Sequence, residues 1–173
     1  PKTICSNNVS AISQDSNGDL WIIHRNGTLE KMDSRTLKVT WRSDYLTKKH
    51  RGRSLNYGVT ADSDGEVWLY AIRENLGIYR FNPNDLSFSF YSKENGSPRL
   101  NSDIVQGVVQ DNTGRIWIAV DHGGINLLDK KAKTMKYILP DEDDKNAIGQ
   151  NTFNAVYKDQ MGVIWLGTYK DGV

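Results

Sequence analysis

The chain has 173 residues, and its 22 basic and 21 acidic residues leave a formal net charge of +1. This balance argues against a general nucleic-acid binder, which needs a clear basic excess. No run of 18 apolar residues is present, so the sequence offers no candidate membrane span. Cys5 is the single cysteine, which excludes an internal disulfide framework and a cysteine-based zinc cluster.

Four tryptophans recur at intervals of 47, 49 and 48 residues. Each follows an Asp by six residues and a Gly by three, and aliphatic residues flank it on both sides. The pattern D-x-x-G-x-φ-W-φ, where φ is aliphatic, therefore occurs four times, which chance does not explain. Its members are Asp15, Gly18 and Trp21, then Asp62, Gly65 and Trp68, then Asp111, Gly114 and Trp117, and finally Asp159, Gly162 and Trp165.

Each repeat predicts four short strands. The first precedes the Asp, at residues 9–12, 57–61, 104–109 and 153–157, and the second holds the Trp. The third follows a later glycine, and the fourth alternates aromatic or aliphatic residues with polar ones, a period typical of strands. No helical stripe of useful length is present, so we expect almost no helix.

Four-stranded units with a period in the forties are typical of β-propeller blades. We predict an all-β fold, a β-propeller fragment of about three and a half four-stranded antiparallel blades of 47–49 residues. The predicted blades are residues 5–43, 55–92 and 103–139, followed by an incomplete fourth blade at residues 151–173.

The repeated Asp, Gly and Trp residues have a structural interpretation. Gly supplies a positive φ in the turn, Asp caps that turn, and the Trp ring fills the space between blades. A calcium loop is the alternative for the acids, but the Gly is the fourth residue rather than the sixth and no bidentate Glu follows. A sugar-stacking platform is the alternative for the tryptophans. We predict that all twelve residues are structural and that the rings lie in the core.

No motif predicts a catalytic residue, a metal ligand or a cofactor site. Polar residues do cluster in the connections between the second and third strands, which open on one face of a propeller around its channel. We predict a ligand-binding rim there, with solvated loop tips as the alternative. The rim residues are His24, Arg25, Arg73, Glu74, Asp121, His122, Tyr169 and Lys170.

The four units resemble the two-component regulator propeller repeat, V-x-x-I-x-x-D-x-x-G-x-L-W-I-G-T-x-x-x-G-L. The resemblance is clearest at residues 155–168, which read AVYKDQMGVIWLGT, whereas the first three units depart from I-G-T after the Trp. It implies the periplasmic sensor region of a bacterial hybrid two-component system, anchored in the inner membrane and joined to a histidine kinase and a response regulator. Such sensors detect oligosaccharides. The resemblance therefore implies carbohydrate sensing and signal transduction by a non-enzymatic part of the protein.

Two other functions stay open at this point. A propeller enzyme of the lyase or lactonase type would need converging acids or histidines, and a metal, at the channel mouth. A pure protein-interaction platform is the third possible function.

Three and a half repeats are too few for a ring of 4–8 blades. The expected partners are therefore an oligosaccharide and either further blades of a longer chain or a second copy in a homodimer, with no nucleic acid.

Overall fold

A computed structural model describes residues 3–141, 143–144 and 147–169. Fourteen strands and one five-residue helix occur within these residues, and no helix in this part of the chain is long and apolar enough to cross a membrane. The strands form three four-stranded sheets and one two-stranded sheet. The predicted all-β propeller fragment is confirmed.

The first two sheets lie in chain order, each with neighbouring strands adjacent in the sheet. The first sheet contains β1 (Val9–Gln14), β2 (Leu20–His24), β3 (Leu29–Asp33) and β4 (Lys38–Ser43). Helix α1 (Tyr45–Lys49) follows it. The second sheet contains β5 (Tyr57–Ala61), β6 (Val67–Ala71), β7 (Ile78–Asn82) and β8 (Ser87–Tyr91).

The remaining strands repeat the same plan. The third sheet contains β9 (Val105–Gln110), β10 (Ile116–Val120), β11 (Ile125–Asp129) and β12 (Thr134–Ile138). The fourth contains β13 (Phe153–Lys158) and β14 (Ile164–Thr168), which pair antiparallel. Each of the four repeat tryptophans lies on the second strand of its sheet, as the sequence pattern predicts.

The chain divides into two compact units. The first contains the described residues up to Tyr70 together with Arg80–Phe88, and the second contains Ala71–Tyr79 together with the described residues from Ser89 onward. Strands of the second sheet therefore contribute to both units, whereas the first sheet belongs to one unit and the third and fourth sheets belong to the other.

The repeated Asp and Trp are joined by an arrangement that we call the Asp–Trp clasp. One carboxylate oxygen of the Asp accepts the indole N–H of the Trp, at distances of 3.2, 2.9, 2.9 and 2.8 Å in the four repeats. The other oxygen accepts two backbone N–H groups of the intervening turn, as Asp62 does from Asp64 and Glu66 at 3.0 Å each. Both oxygens of each carboxylate therefore accept hydrogen bonds from the turn and the Trp, which agrees with the structural interpretation of these residues.

The Trp rings differ in burial. Trp21 and Trp68 are 2% and 0% exposed, Trp117 is half-buried, and Trp165 is 49% exposed. Trp117 packs against a buried cluster of Ala119, Ile125 and Phe153, and Phe153 belongs to β13 of the fourth sheet. The prediction that all four rings lie in the core is therefore wrong for Trp165, because no described sheet covers its face. Its clasp nevertheless forms.

A β-bulge recurs near the start of the first strand in the first, third and fourth sheets. The register between the first and second strands shifts around Ser10 in β1, Gln106 in β9 and Asn154 in β13. These residues lie at 48-residue multiples, and each is polar within an otherwise apolar run. A bulge turns a side chain away from the regular alternation of a strand, which lets a polar residue leave the packed face.

Candidate functional site

A pocket of about 830 Å³ lies in the second unit, at the ends of β9, β10, β13 and β14. This volume is within the range of small-molecule sites. The pocket collects side chains from two strand connections, two bulges and the chain segment that leads into β13. Its lining residues are Arg73, Ile104, Gln106, Asp121, His122, Pro140, Gly149, Gln150, Asn151, Thr152, Asn154 and Tyr169.

Backbone hydrogen bonds hold the loops of this pocket in place. The N–H of Asp121 donates to the Ile104 carbonyl at 2.9 Å, and the N–H of Gly124 donates to the Asn151 carbonyl at 2.8 Å. Each bond attaches the segment before a first strand to a turn between a second and a third strand. The pocket wall is therefore built from hydrogen-bonded turns.

Arg73 and His122 occupy equivalent turns and both adopt a left-handed backbone, with φ of 63° and 55°. This conformation is uncommon for residues other than glycine and is frequent at functional sites. Both side chains are exposed, and both line the pocket. The turns therefore present a guanidinium and an imidazole to the same cavity.

Asp121 supplies the carboxylate among the lining residues. Its Oδ1 atom is buried and accepts no hydrogen bond from the described part of the chain. His122 Nδ1 lies 2.9 Å from that oxygen, which is ion-pair distance when the imidazole is protonated. The Asp121 side chain lines the pocket, so a ligand hydroxyl or amide can donate to its carboxylate.

Four of the eight predicted rim residues meet in this pocket: Arg73, Asp121, His122 and Tyr169. Glu74 is half-buried in the same turn as Arg73 but does not line the pocket, and Lys170 lies outside the described residues. Arg25 is exposed after β2 and belongs to the first unit. Their binding role stays a prediction.

His24 does not lie where the sequence analysis placed it. It is the last residue of β2 rather than part of a connection, and it is fully buried. Its Nε2 atom lies 2.6 Å from Glu30 Oε2 on β3. Strand β2 includes His24 because this residue pairs with Val9 of β1, and the buried carboxylate of Glu30 gives its imidazole a polar partner.

Sequence reasoning missed the two bulge residues, Gln106 and Asn154, and the 149–152 segment. The bulge residues left a usable signal, since a polar residue recurs at the same repeat position within an apolar strand. The 149–152 segment left none, because only the fold brings it against the turn of Asp121 and His122.

The pocket is suited to binding. Its side-chain amides, hydroxyl groups, carboxylate and guanidinium together donate and accept hydrogen bonds, and the Tyr169 ring adds an aromatic surface. Among the residues that line it, Asp121 and His122 are of the types that bind zinc in proteins. That is fewer than the three protein ligands typical of a catalytic zinc site.

The two-component regulator propeller family matches residues 3–26 and 147–170. These segments hold the first hairpin of the first sheet and the whole of the fourth. The match covers two of the four repeats of this chain. The Asp–Trp clasp joins the repeated Asp and Trp in both matched segments, and it forms in the other two hairpins as well.

Solved structures share the propeller fold. Two are extracellular domains of proteins assigned as hybrid two-component systems from B. thetaiotaomicron. One is 22% identical with a TM-score of 0.64, covering 96% of this chain and 21% of that chain. The other is 20% identical with a TM-score of 0.63, covering 98% of this chain and 24% of that chain. This chain therefore spans between a fifth and a quarter of their length.

A third structure is a catalytically inactive virginiamycin B lyase from Staphylococcus aureus with quinupristin. It is 15% identical with a TM-score of 0.65, covering 95% of this chain and 50% of that chain. At these identities the likeness is one of fold.

No curated protein matches this sequence. The described residues form propeller sheets throughout, and this part of the chain contains no kinase catalytic domain.

Proposed function

We propose that this chain is part of the extracytoplasmic sensor of a hybrid two-component signalling protein and that its pocket binds an oligosaccharide. The observation that carries the proposal is the pocket of the second unit, whose lining holds the carboxylate of Asp121 together with the side-chain amides of Gln106 and Asn154. The family match and the fold of the two extracellular domains support the sensor role.

Sugar hydroxyls both donate and accept hydrogen bonds, and the lining offers partners for both. Asp121 accepts, Arg73 donates, and the side-chain amides of Gln106 and Asn154 do both. Tyr169, 65% exposed, offers a ring face for the apolar side of a sugar ring. A flat apolar ligand would leave most of these polar groups without partners.

The signalling context is part of the same proposal. The parent protein would lie in the periplasm, be anchored in the inner membrane and pass the signal to a histidine kinase and response regulator. The ligand would act by binding one arrangement of the sensor more tightly than another, which shifts the population between them. The exposed face around Trp165 would pack against a further blade or a second copy of the chain.

An oligosaccharide array followed by calorimetry with the purified chain tests the proposal. We expect saturable binding that weakens about 10-fold or more in Asp121→Asn, since a hydrogen bond to a charged group contributes about 1.5–3 kcal/mol. Asn154→Ala should weaken binding less. Asn112→Ala is the matched control, because Asn112 is exposed in a turn outside the pocket.

Three results separate the candidate functions. Binding that is equal in the wild type and in Asp121→Asn would contradict the assignment of this pocket. Turnover of the bound oligosaccharide, lost in His122→Ala, would instead favour a lyase-type enzyme. Failure of every oligosaccharide on the array, together with capture of a second protein domain, would favour the interaction platform.

A further inference from the structure

A cluster of three different metal-binding side chains lies in the first unit, away from the residues that line the pocket. Cys5, His24 and Glu30 each offer one ligand atom, and these atoms lie within 4.8 Å of one another. The three residues come from the segment before β1, the end of β2 and the second position of β3. No sequence motif connects them, and the sheet brings them together.

The two residues on the sheet are rigidly placed. His24 and Glu30 are each 0% exposed, and Nε2 of the imidazole lies 2.6 Å from Oε2 of the carboxylate. Arg42 on β4 holds the other carboxylate oxygen, with Nε at 2.6 Å and Nη2 at 2.5 Å. A carboxylate fixed by a hydrogen-bonded neighbour is the usual support of a metal ligand.

The segment that carries Cys5 is bound to the same groups. The backbone N–H of Cys5 donates to Glu30 Oε2 at 3.2 Å, and Arg42 Nη2 donates to the Thr3 carbonyl at 3.1 Å. These bonds keep the thiol beside the buried pair. Cys5 itself is exposed, so an ion can enter from solvent and keep a water as its fourth ligand.

A second observation shows that the hydrogen-bonding of His24 is incomplete. Its Nδ1 atom is buried and has no hydrogen-bond partner in the described part of the chain. A buried imidazole with one nitrogen unpaired leaves a donor or a lone pair unsatisfied, which is costly in a core. Nε2, which lies beside Glu30 Oε2, is the ring nitrogen placed to bind an ion together with that carboxylate, and Nδ1 would then carry the imidazole hydrogen.

We propose that Cys5, His24 and Glu30 form a binding site for a single zinc ion or a similar borderline-soft divalent cation. Thiolate and imidazole together select such ions over magnesium and calcium, which prefer oxygen ligands. The thiolate and the carboxylate supply two negative charges to the ion, and the carboxylate also pairs with Arg42. Ligand bonds of about 2.0 Å in a tetrahedron place the His24 nitrogen and the Glu30 oxygen about 3.3 Å apart. The two atoms, now 2.6 Å apart, would therefore have to separate by about 0.7 Å.

The consequence of the site is a fixed attachment of the segment before β1. In the absence of an ion, this segment is joined to the cluster by the two hydrogen bonds to Cys5 and Thr3. An ion bound to Cys5 would add a bond between the segment and the two strands behind it. Because the ion binds only the folded state, it would raise the thermal midpoint with concentration.

Titration of the purified chain with Zn²⁺, and with Co²⁺ as a spectroscopic probe, tests the proposal. We expect one ion per chain, a thiolate-to-cobalt charge-transfer band in the near ultraviolet, and a higher thermal midpoint. Because Cys5 is the single cysteine, Zn²⁺ should also slow alkylation of the chain by iodoacetamide, and Mg²⁺ should not.

The Cys5→Ser variant is the decisive test of the zinc site. Because Cys5 is exposed, we expect this variant to keep the circular-dichroism spectrum of the wild type. It should lower the Zn²⁺ affinity about 10-fold or more and abolish the charge-transfer band. His122→Asn, which removes an exposed histidine outside the cluster, is the control and should bind as the wild type does. Equal Zn²⁺ affinity in Cys5→Ser, or Co²⁺ binding without the band, would overturn the proposal.

Discussion

The hairpins β5–β6 and β13–β14 contain the same motif in different surroundings. Their Asp–Trp clasps are alike, with indole-to-carboxylate distances of 2.9 Å at Trp68 and 2.8 Å at Trp165. The exposed fraction of the ring nevertheless differs, at 0% for Trp68 and 49% for Trp165. The comparison separates two roles of one motif, because the clasp forms within a hairpin whereas burial of the ring depends on what packs over it.

The first sheet shows what packing over a ring requires. Trp21 contacts Phe81 edge-on, with ring centroids 5.7 Å apart, and Trp41 at 5.8 Å. Trp41, which lies outside the repeat register, stacks on Phe81 at 4.7 Å. The aromatic group around Trp21 thus draws on residues of three strands, two of them outside its own hairpin.

Replacing the rings is expected to give the largest difference between the two hairpins. Trp68→Ala removes a fully buried ring and should lower the free energy of unfolding by about 3–5 kcal/mol. Trp165→Ala removes a half-exposed ring and should cost less than half as much. Urea unfolding followed by far-ultraviolet circular dichroism measures both. Similar losses in the two variants would show that another molecule covers Trp165 in solution.

Removing a clasp carboxylate should have a smaller effect that depends on pH. Burial alone would raise the pKa of Asp111, but hydrogen bonds from Thr113, Trp117 and the backbone of Arg115 outweigh it and hold the pKa well below 3.8. Asp111→Asn replaces a carboxylate oxygen with an amide NH₂ group, which cannot accept these hydrogen bonds. The substitution should lower the free energy of unfolding by about 1–3 kcal/mol at pH 7.

The sign of the pH dependence follows from the lowered pKa. The stabilisation by Asp111 is complete above its ordinary value of 3.8 and is lost as the pH falls towards the lower pKa of the folded state. The difference in stability between the wild type and Asp111→Asn should therefore shrink from pH 7 to pH 3. A difference that stays constant in urea unfolding over this range would contradict the assignment.

Replacing the glycine that lies between the Asp and the Trp of a clasp should lower the free energy of unfolding least. The loss should be the same in the hairpin with a buried Trp and in the hairpin with an exposed Trp. Gly65 and Gly162 have φ of +83° and +86°, which disfavour a side chain. A methyl group at Gly65 meets open space, and at Gly162 it meets the exposed side chain of Asn112, which can rotate away. Each change to Ala should cost about 1 kcal/mol in urea unfolding. A loss confined to one position would show that the turns are not equivalent.

The fold was predictable because its signals are local and repeated four times. Strand order, the Trp strand and the turn glycines all follow from the Asp, Gly and Trp spacing. The partner of the indole N–H was not identified, although the constant separation of six residues between Asp159 and Trp165, as in the other repeats, contained that information. Burial of each ring was not predictable from the motif, since it depends on residues outside the hairpin.

The candidate site was predictable in part for the same reason. Arg73, Asp121 and His122 share a place in the repeat, so their proximity follows from the blade plan. Gln106 and Asn154 needed the bulge, which changes the direction of a side chain without changing the apolar pattern around it. His24 was misplaced because its buried partner, Glu30, lies on another strand and leaves no local signal.

The clasp also bears on the order in which the chain gains structure. It links residues six positions apart, and the hairpin it closes joins adjacent strands, so little chain entropy is lost when it forms. Contacts of this kind assemble faster than pairings between distant segments. Each repeat can therefore close its own turn as a local nucleus before the neighbouring sheets dock, and folding of the chain can begin at any of the four hairpins.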